Sequence, residues 1–177
     1  MTIKLVSIDQ VTDQQILMFK EPFLKEKELI HGSSGLTTAK DITKWRRQVI
    51  KDKENPPTNH VKVTQFVVLN ETNDLIGMAS FNHTLSAYLQ IDGGHIAYSI
   101  GMKYRSRGYA KQVLIQVLTY VRKEGLANKV LLTCNQRNTA SRSVIISCGG
   151  QLTKEVQINQ QCIEHYWIEI KNNSNFS

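Results

Sequence analysis

At 177 residues, 41% hydrophobic and 21% charged, the chain suits one domain that can bury a core without disulfides or metal. Its 22 Lys and Arg against 15 Asp and Glu leave a formal charge of +7, which fits nucleic acid, an acidic surface or an anionic cofactor without choosing among them. Three cysteines (Cys134, Cys148, Cys162) without a C-x-x-C pair argue against a disulfide framework, and no apolar window approaches a membrane span, so a reduced, cytoplasmic protein is expected.

The opening Met-Thr-Ile-Lys-Leu-Val has no apolar signal core, and residues 3–8 read as a first strand. Thr12 or Asp13 can cap a helix running towards Ile30. His31-Gly-Ser-Ser-Gly35 reads as a flexible break, and a second helix is predicted over 39–51, stopped by Asn55-Pro-Pro57. Both helices carry many charges and a modest apolar stripe, as a mobile layer over another element would. β-Branched and aromatic residues predict a strand at Val63–Leu69, a turn at 71–74 and a hairpin partner over 75–83. Residues 85–92 read as a connection hinged on Gly93-Gly94. The next strand is 95–101, with Ile96, Tyr98 and Ile100 on one face. Residues 108–123 form the clearest helix, because Ala110, Val113, Leu114, Val117, Leu118 and Val121 keep helical spacing and Gly125 ends it. A short buried strand at 129–134 and an amphipathic helix at 138–147, closed by Gly149-Gly150, come next. Strands at Gln151–Ile158 and 162–170 complete one mixed α/β domain over 1–177, and the Lys171-Asn-Asn-Ser tail is expected to fray.

The most informative stretch is Gly94-His-Ile-Ala-Tyr-Ser-Ile-Gly-Met-Lys-Tyr-Arg-Ser-Arg-Gly-Tyr-Ala110, a strand, a basic glycine-containing turn and a helix start. Helix N-termini expose unpaired N–H groups and the positive end of a dipole, which together bind phosphate. Gly108 has no Cβ, so an oxygen can approach the backbone, while Arg105 and Arg107 add charge-assisted donors. The stretch is built to hold a phosphate-bearing ligand. A Rossmann G-x-G-x-x-G and a P-loop are both absent from the sequence.

Arg105-Ser-Arg-Gly-Tyr-Ala110 resembles the Q/R-x-x-G-x-G/A signature of the GNAT superfamily of acyl-CoA-dependent N-acyltransferases. Asn138-Thr-Ala-Ser141, a helix and Gly149-Gly150 match that family's next segment, and the order of elements fits from residue 1 to about 170. The resemblance implies a twisted, mostly antiparallel sheet of about seven strands flanked by about four helices. It implies acetyl-CoA as co-substrate and no metal. The pyrophosphate would lie on the turn formed by Arg105, Ser106, Arg107, Gly108, Tyr109 and Ala110. The pantetheine arm would pair with the strand around Ile100 and Met102, with Asn138 and Ser141 on the far side. That strand would splay from the one at 129–134 and leave the thioester in the gap, where a backbone N–H near Ile100 would polarise its carbonyl. Residues 94–148 would be the cofactor core and the helices over 12–52 an acceptor-side lid.

Direct transfer needs a neutral amine, and at a lysine-like pKa only about one molecule in a thousand or fewer is neutral at pH 7. His95, at the start of the central strand, is the first candidate for general base; Glu164, His165 and His83 are the backups. Where the family often places a tyrosine in the helix after Asn138, to protonate the departing thiolate, this chain has Ile145 or a neighbouring aliphatic residue. Tyr98, Tyr104 and Tyr109 are the substitutes, but each also has an easy core or surface role, so the acid is left unassigned. Cys134 has no basic partner and reads as a small buried hydrophobe, and the five histidines show no ligand spacing for a metal.

The expected function is therefore acetyl transfer from acetyl-CoA to an amine in a ternary complex, with a small molecule or a peptide as acceptor. The alternative is a non-catalytic acyl-CoA-binding sensor. Scattered basic residues without interleaved aromatics argue against nucleic acid. No membrane partner is expected, and a homodimer would be in keeping with such folds.

Overall fold

The computed structural model describes residues 2–58 and 60–170, so the 171–177 tail lies outside the described residues. Seven strands form two antiparallel sheets. The first runs β1 (Lys4–Val6), β2 (Val63–Leu69), β3 (Leu75–Asn82), β4 (Ile96–Ile100). The second has the order β5 (Lys129–Asn135), β7 (Gln161–Glu169), β6 (Gln151–Ile158). Around them lie α1 (Asp13–Lys25), α2 (Ile42–Glu54), α3 (Ala87–Ile91), α4 (Tyr109–Lys123) and α5 (Thr139–Ser147). Among the described residues no helix is long and apolar enough to cross a membrane.

Local chemistry sets the helix ends. Thr12 and Gln15 form a reciprocal capping box at the start of α1. That helix stops well short of Ile30. Lys27 takes a left-handed φ of 55°, and the Glu28 N–H bonds back to the Phe23 carbonyl at 2.9 Å, a Schellman-type end without glycine. Asp41 caps α2, so this helix begins later than position 39. Ser86 caps α3, the short helix that occupies what the sequence reads as a connection. The β6–β7 hairpin turns on Asn159 and Gln160, both at positive φ as a two-residue type I′ turn requires.

Two apolar clusters flank the first sheet. One joins Ile16, Phe19, Phe23, Leu36, Ile42 and Trp45 to Val67 and Met78, and it packs the N-terminal helices onto the first sheet. The other brings Val113, Leu114, Val117 and Val121 of α4 and Ile145 of α5 together with residues of both sheets.

The 31–35 segment is likewise ordered. Gln65 donates to the Gly32 carbonyl at 2.6 Å and accepts from the Ser34 hydroxyl at 2.8 Å, while the Trp45 indole donates to the Ser34 carbonyl at 3.0 Å. Gly32 sits against β4 so closely that a Cβ would lie 2.3 Å from the Ala97 carbonyl oxygen, with φ at +67°. Three stretches of sequence, on α2, β2 and β4, hold this loop in place.

Candidate active site

β4 and β5 run side by side but belong to different sheets. They touch at one point. The His95 N–H donates to the Leu131 carbonyl at 2.7 Å, and the Leu131 N–H donates to His95 Nδ1 at 2.8 Å. Beyond this junction the strands part into a V. A cleft of about 560 Å³ opens there, lined by Tyr98, Ser99 and Ile100 on β4, by the start of α4, and by Asn138 and Ser141 of α5.

The start of α4 is bare. Thr12, Asp41, Ser86 and Asn138 cap the other four helices with a side chain, whereas Gly108 caps α4 with none. The first helical bond of α4 is Gln112 N–H to Gly108 O, which leaves the N–H groups of Tyr109, Ala110 and Lys111 without an intrahelical acceptor. Gly108 has a φ of +77°, and a Cβ built there would meet no atom within 4 Å. The space that side chain would fill, faced by open amides at the positive end of a helix dipole, fits a phosphate of the cofactor implied by the sequence.

Several expected ligand residues converge on this cleft: Ile100, Arg105, Ser106, Gly108, Tyr109, Ala110, Asn138 and Ser141 all line it. Met102 does not, because it lies in a 3-10 turn and packs towards the α1 side. Arg107 is exposed and outside the lining. Arg105 is already engaged. Its Nε donates to the Ile100 carbonyl at 3.0 Å, its two terminal nitrogens grip Glu28 at 3.2 and 2.6 Å, and its guanidinium lies over the Phe23 ring. The hydrogen bonds from Arg105 hold the Glu28 carboxyl below its usual range. Asn138 spends its Oδ1 on capping Ser141 N–H at 3.1 Å.

Each of the four candidate acid–base residues already has a hydrogen-bond partner in the protein, and for His83 it is the Thr64 hydroxyl, 2.8 Å from Nε2. The Leu131 N–H can only donate, so Nδ1 of His95 is the acceptor and the neutral ring carries its proton on Nε2. Phe81 stacks on this ring, Trp167 meets it edge-on, and burial lowers its pKa. Glu164 is 3% exposed and faces α5, where it accepts from Arg142 Nη2 at 2.6 Å, Arg142 Nε at 2.9 Å and the Tyr166 hydroxyl at 2.7 Å. Burial pushes its pKa up, but these donors outweigh burial and hold it below the usual carboxylate range. His165 points from the opposite face of β7, and its Nε2–H donates to the Ile91 carbonyl at 2.8 Å. Burial first, and then the Glu164 carboxylate, push the Cys134 thiol up to about 11, so it is protonated at neutral pH.

Sequence reading gave less weight to Tyr98. Its hydroxyl crosses the V to lie 3.3 Å from Ser141 Oγ, and burial raises its pKa to about 12. Ser99, Glu28 and His31 also line the cleft. The alternation of β4 marks Tyr98 and Ser99 as facing opposite ways, but no local pattern brings Glu28 or His31 to the same place. Among the described residues no group of three or more His, Cys, Asp or Glu is placed to hold a metal ion.

Two neighbouring strands that part around a cleft, with an uncapped helix at its mouth, are the layout of an acyltransferase that draws its acyl group from coenzyme A. Residues 10–151 match the family model for the acetyltransferase (GNAT) domain, and the chain belongs to this acetyl-CoA-dependent family. Among solved structures it is similar to a spermidine N-acetyltransferase SpeG chimera from Vibrio cholerae and hSSAT, at 12% identity and a TM-score of 0.66 over 96% of each chain. It is also similar to RimL, a ribosomal L7/L12 alpha-N-protein acetyltransferase in complex with coenzyme A, at 16% identity and a TM-score of 0.67 over 95% of this chain and 94% of that one. The microcin C7 self-immunity acetyltransferase MccE, in complex with acetyl-CoA and AMP, shares 16% identity and a TM-score of 0.61 over 88% of this chain and 83% of its own. Identities this low speak for the fold. No curated protein matches by sequence.

Proposed function

We propose that the chain transfers an acetyl group from acetyl-CoA directly to an amine, as a cytoplasmic enzyme. The observation that carries this reading is the bare N-terminus of α4 opening onto the cleft where β4 and β5 part. The amides from Arg107 to Ala110 hold the pyrophosphate, and the pantetheine arm follows β4 at Ser99 and Ile100. Asn138 and Ser141 form the opposite wall. Arg105 acts as a clamp between the end of β4 and the α1–α2 segment instead of binding phosphate, because all its nitrogens already have partners.

His95 is a strut in this reading. Its one neutral lone pair, on Nδ1, is taken by Leu131 N–H, which leaves none to accept a proton from an amine. Tyr98 is the donor on the sulfur side. As the amine nitrogen attacks the acetyl carbon and the C–S bond breaks, the Tyr98 hydroxyl gives its proton to the departing sulfur. Tyr98 regains one, through solvent, from the nitrogen that has become an amide. Its raised pKa keeps the hydroxyl protonated, and so able to donate, before the step. The structural relatives are named for acetylating spermidine and a ribosomal protein's α-amine, and both kinds of amine fall within the acceptor class proposed here. A homodimer is part of the same proposal.

Calorimetric titration with acetyl-CoA, against NADH and ATP, tests the assignment. Selective binding in the micromolar range is expected, and Gly108→Asp should weaken it at least tenfold while the fold survives. The side chain at 108 would have free space within the protein and would instead occupy the anion's place. Unchanged affinity in that variant would overturn the phosphate assignment.

A further inference from the structure

We propose that Asp92 is the anchor for the ammonium form of the acceptor, which makes the enzyme selective for cationic amines. This inference rests on the acetyl-transfer reading and adds the charge class of the acceptor.

The argument starts from the junction between the strands. His95 and Leu131 are the last joined residues, so Ala97 on β4 and Thr133 on β5 face each other where the V begins. Leu132 and Cys134 point into the core beneath α4 and α5, so Thr133 points to the other face of the sheet. The chain that precedes β4 folds down onto that face. The Gly93 N–H donates to Thr133 Oγ1 at 2.8 Å, and the same hydroxyl lies 3.4 Å from Asp92 Oδ1. His165 holds the Ile91 carbonyl, and Gly94 rides so close to β5 that a Cβ would come 2.4 Å from the Leu131 carbonyl oxygen. Asp92 is therefore fixed beside the apex on the β5 side, as the 31–35 loop is fixed beside Ala97 on the β4 side.

Charge then decides what Asp92 can hold. Glu28, the carboxylate lining the cleft, is neutralised by Arg105 at 2.6 Å, and Glu164 by Arg142 at 2.6 Å. Asp92 is half-buried, and among the described residues no cation pairs with it and no hydrogen bond reaches its Oδ2. A half-buried carboxylate without a counter-ion favours a cation beside it. An alkylamine reaches the enzyme as its ammonium, because its pKa lies far above 7. The face carrying Asp92 is also the one opposite α4 and α5, the helices that flank the cofactor cleft. An amine seated there meets the apex without crossing the cofactor.

The test uses two probes of matched shape: n-butylamine, a cation at pH 7, and O-propylhydroxylamine, which is neutral there. Binding of each to the protein with coenzyme A is followed by NMR titration, and acetylation of each is followed in parallel. Wild type should bind n-butylamine at least tenfold more tightly than the neutral probe. Asp92→Asn should abolish that preference by weakening n-butylamine alone, with coenzyme A affinity and melting temperature unchanged, and Asp92→Glu should recover part of it. Equal losses for both probes would assign Asp92 a structural role, and an unaltered preference would remove it from the site. Failure of wild type to bind n-butylamine overturns the anchor whether or not acetyl-CoA binds, whereas failure to bind acetyl-CoA overturns the transfer reading.

Discussion

Tyr98 shows how far a single side chain can differ from its sequence reading. As one of three alternating residues in a strand it looks like core, and it is half-buried against the cluster under α4 and α5. Its hydroxyl nevertheless ends in the cleft beside Ser141, a contact between positions far apart in the chain. We expect Tyr98→Phe to lower kcat about tenfold or more with acetyl-CoA while leaving its KM near the wild-type value. The loss should shrink with an acetyl thioester of a more acidic thiol, since a better leaving group needs less help. An equal loss with both donors would show that Tyr98 only supports the wall. The other acid–base candidates were legible as residue types but not as roles. The partners that commit them, Leu131 N–H, Arg142 and the Ile91 carbonyl, are set by tertiary approach.

At the level of elements, α4 and its turn were readable because their signals are local: helical apolar spacing, a glycine at the cap and another at the end. The 31–35 loop was misread for the converse reason. Gly and Ser signal a break, but its order comes from Gln65, Trp45 and the β4 backbone. Gly32→Ala makes that order measurable. The new methyl would press on the Ala97 carbonyl and must tolerate φ of +67°, so a destabilisation of about 2 kcal/mol or more is expected in chemical denaturation. A stability within error of wild type would mean that the loop can leave β4 at little cost.

The whole molecule is two sheets sharing one core, and the seam between them is narrow. His95 bridges it, with its backbone and ring bonded to Leu131 and its faces against Phe81 of the first sheet and Trp167 of the second. Burial lowers the pKa of His95, and burial and then Lys62 lower that of His83 nearby. A histidine with a depressed folded pKa contributes stability that is present above its unfolded value, about 6.5, and lost as pH falls through the folded one. The melting temperature should therefore drop as pH falls below about 6.5, and His95→Gln should flatten that part of the curve. A pH profile identical to wild type would show that the seam does not depend on this ring. The order and type of nearly all strands and helices could be read from periodicity, which is why the fold class followed from sequence. The break between the sheets could not, because neighbours that fail to pair look, in periodicity, like two that do; it was expected only through the family resemblance, which implied that the strand at 95–101 splays from the one at 129–134.

Arg105 ties the end of β4 to the segment between α1 and α2, which in the proposed reading would face different substrates. One nitrogen holds the last carbonyl of the strand that would carry coenzyme A, and two others hold Glu28 on the segment proposed to border the amine. A ligand that tightens or loosens one end of this tie changes the free energy of the other. Linkage makes the effect reciprocal: whatever factor an amine adds to coenzyme affinity, the coenzyme returns to the amine. Each substrate would thus report its arrival to the other through a bond that neither of them has to touch.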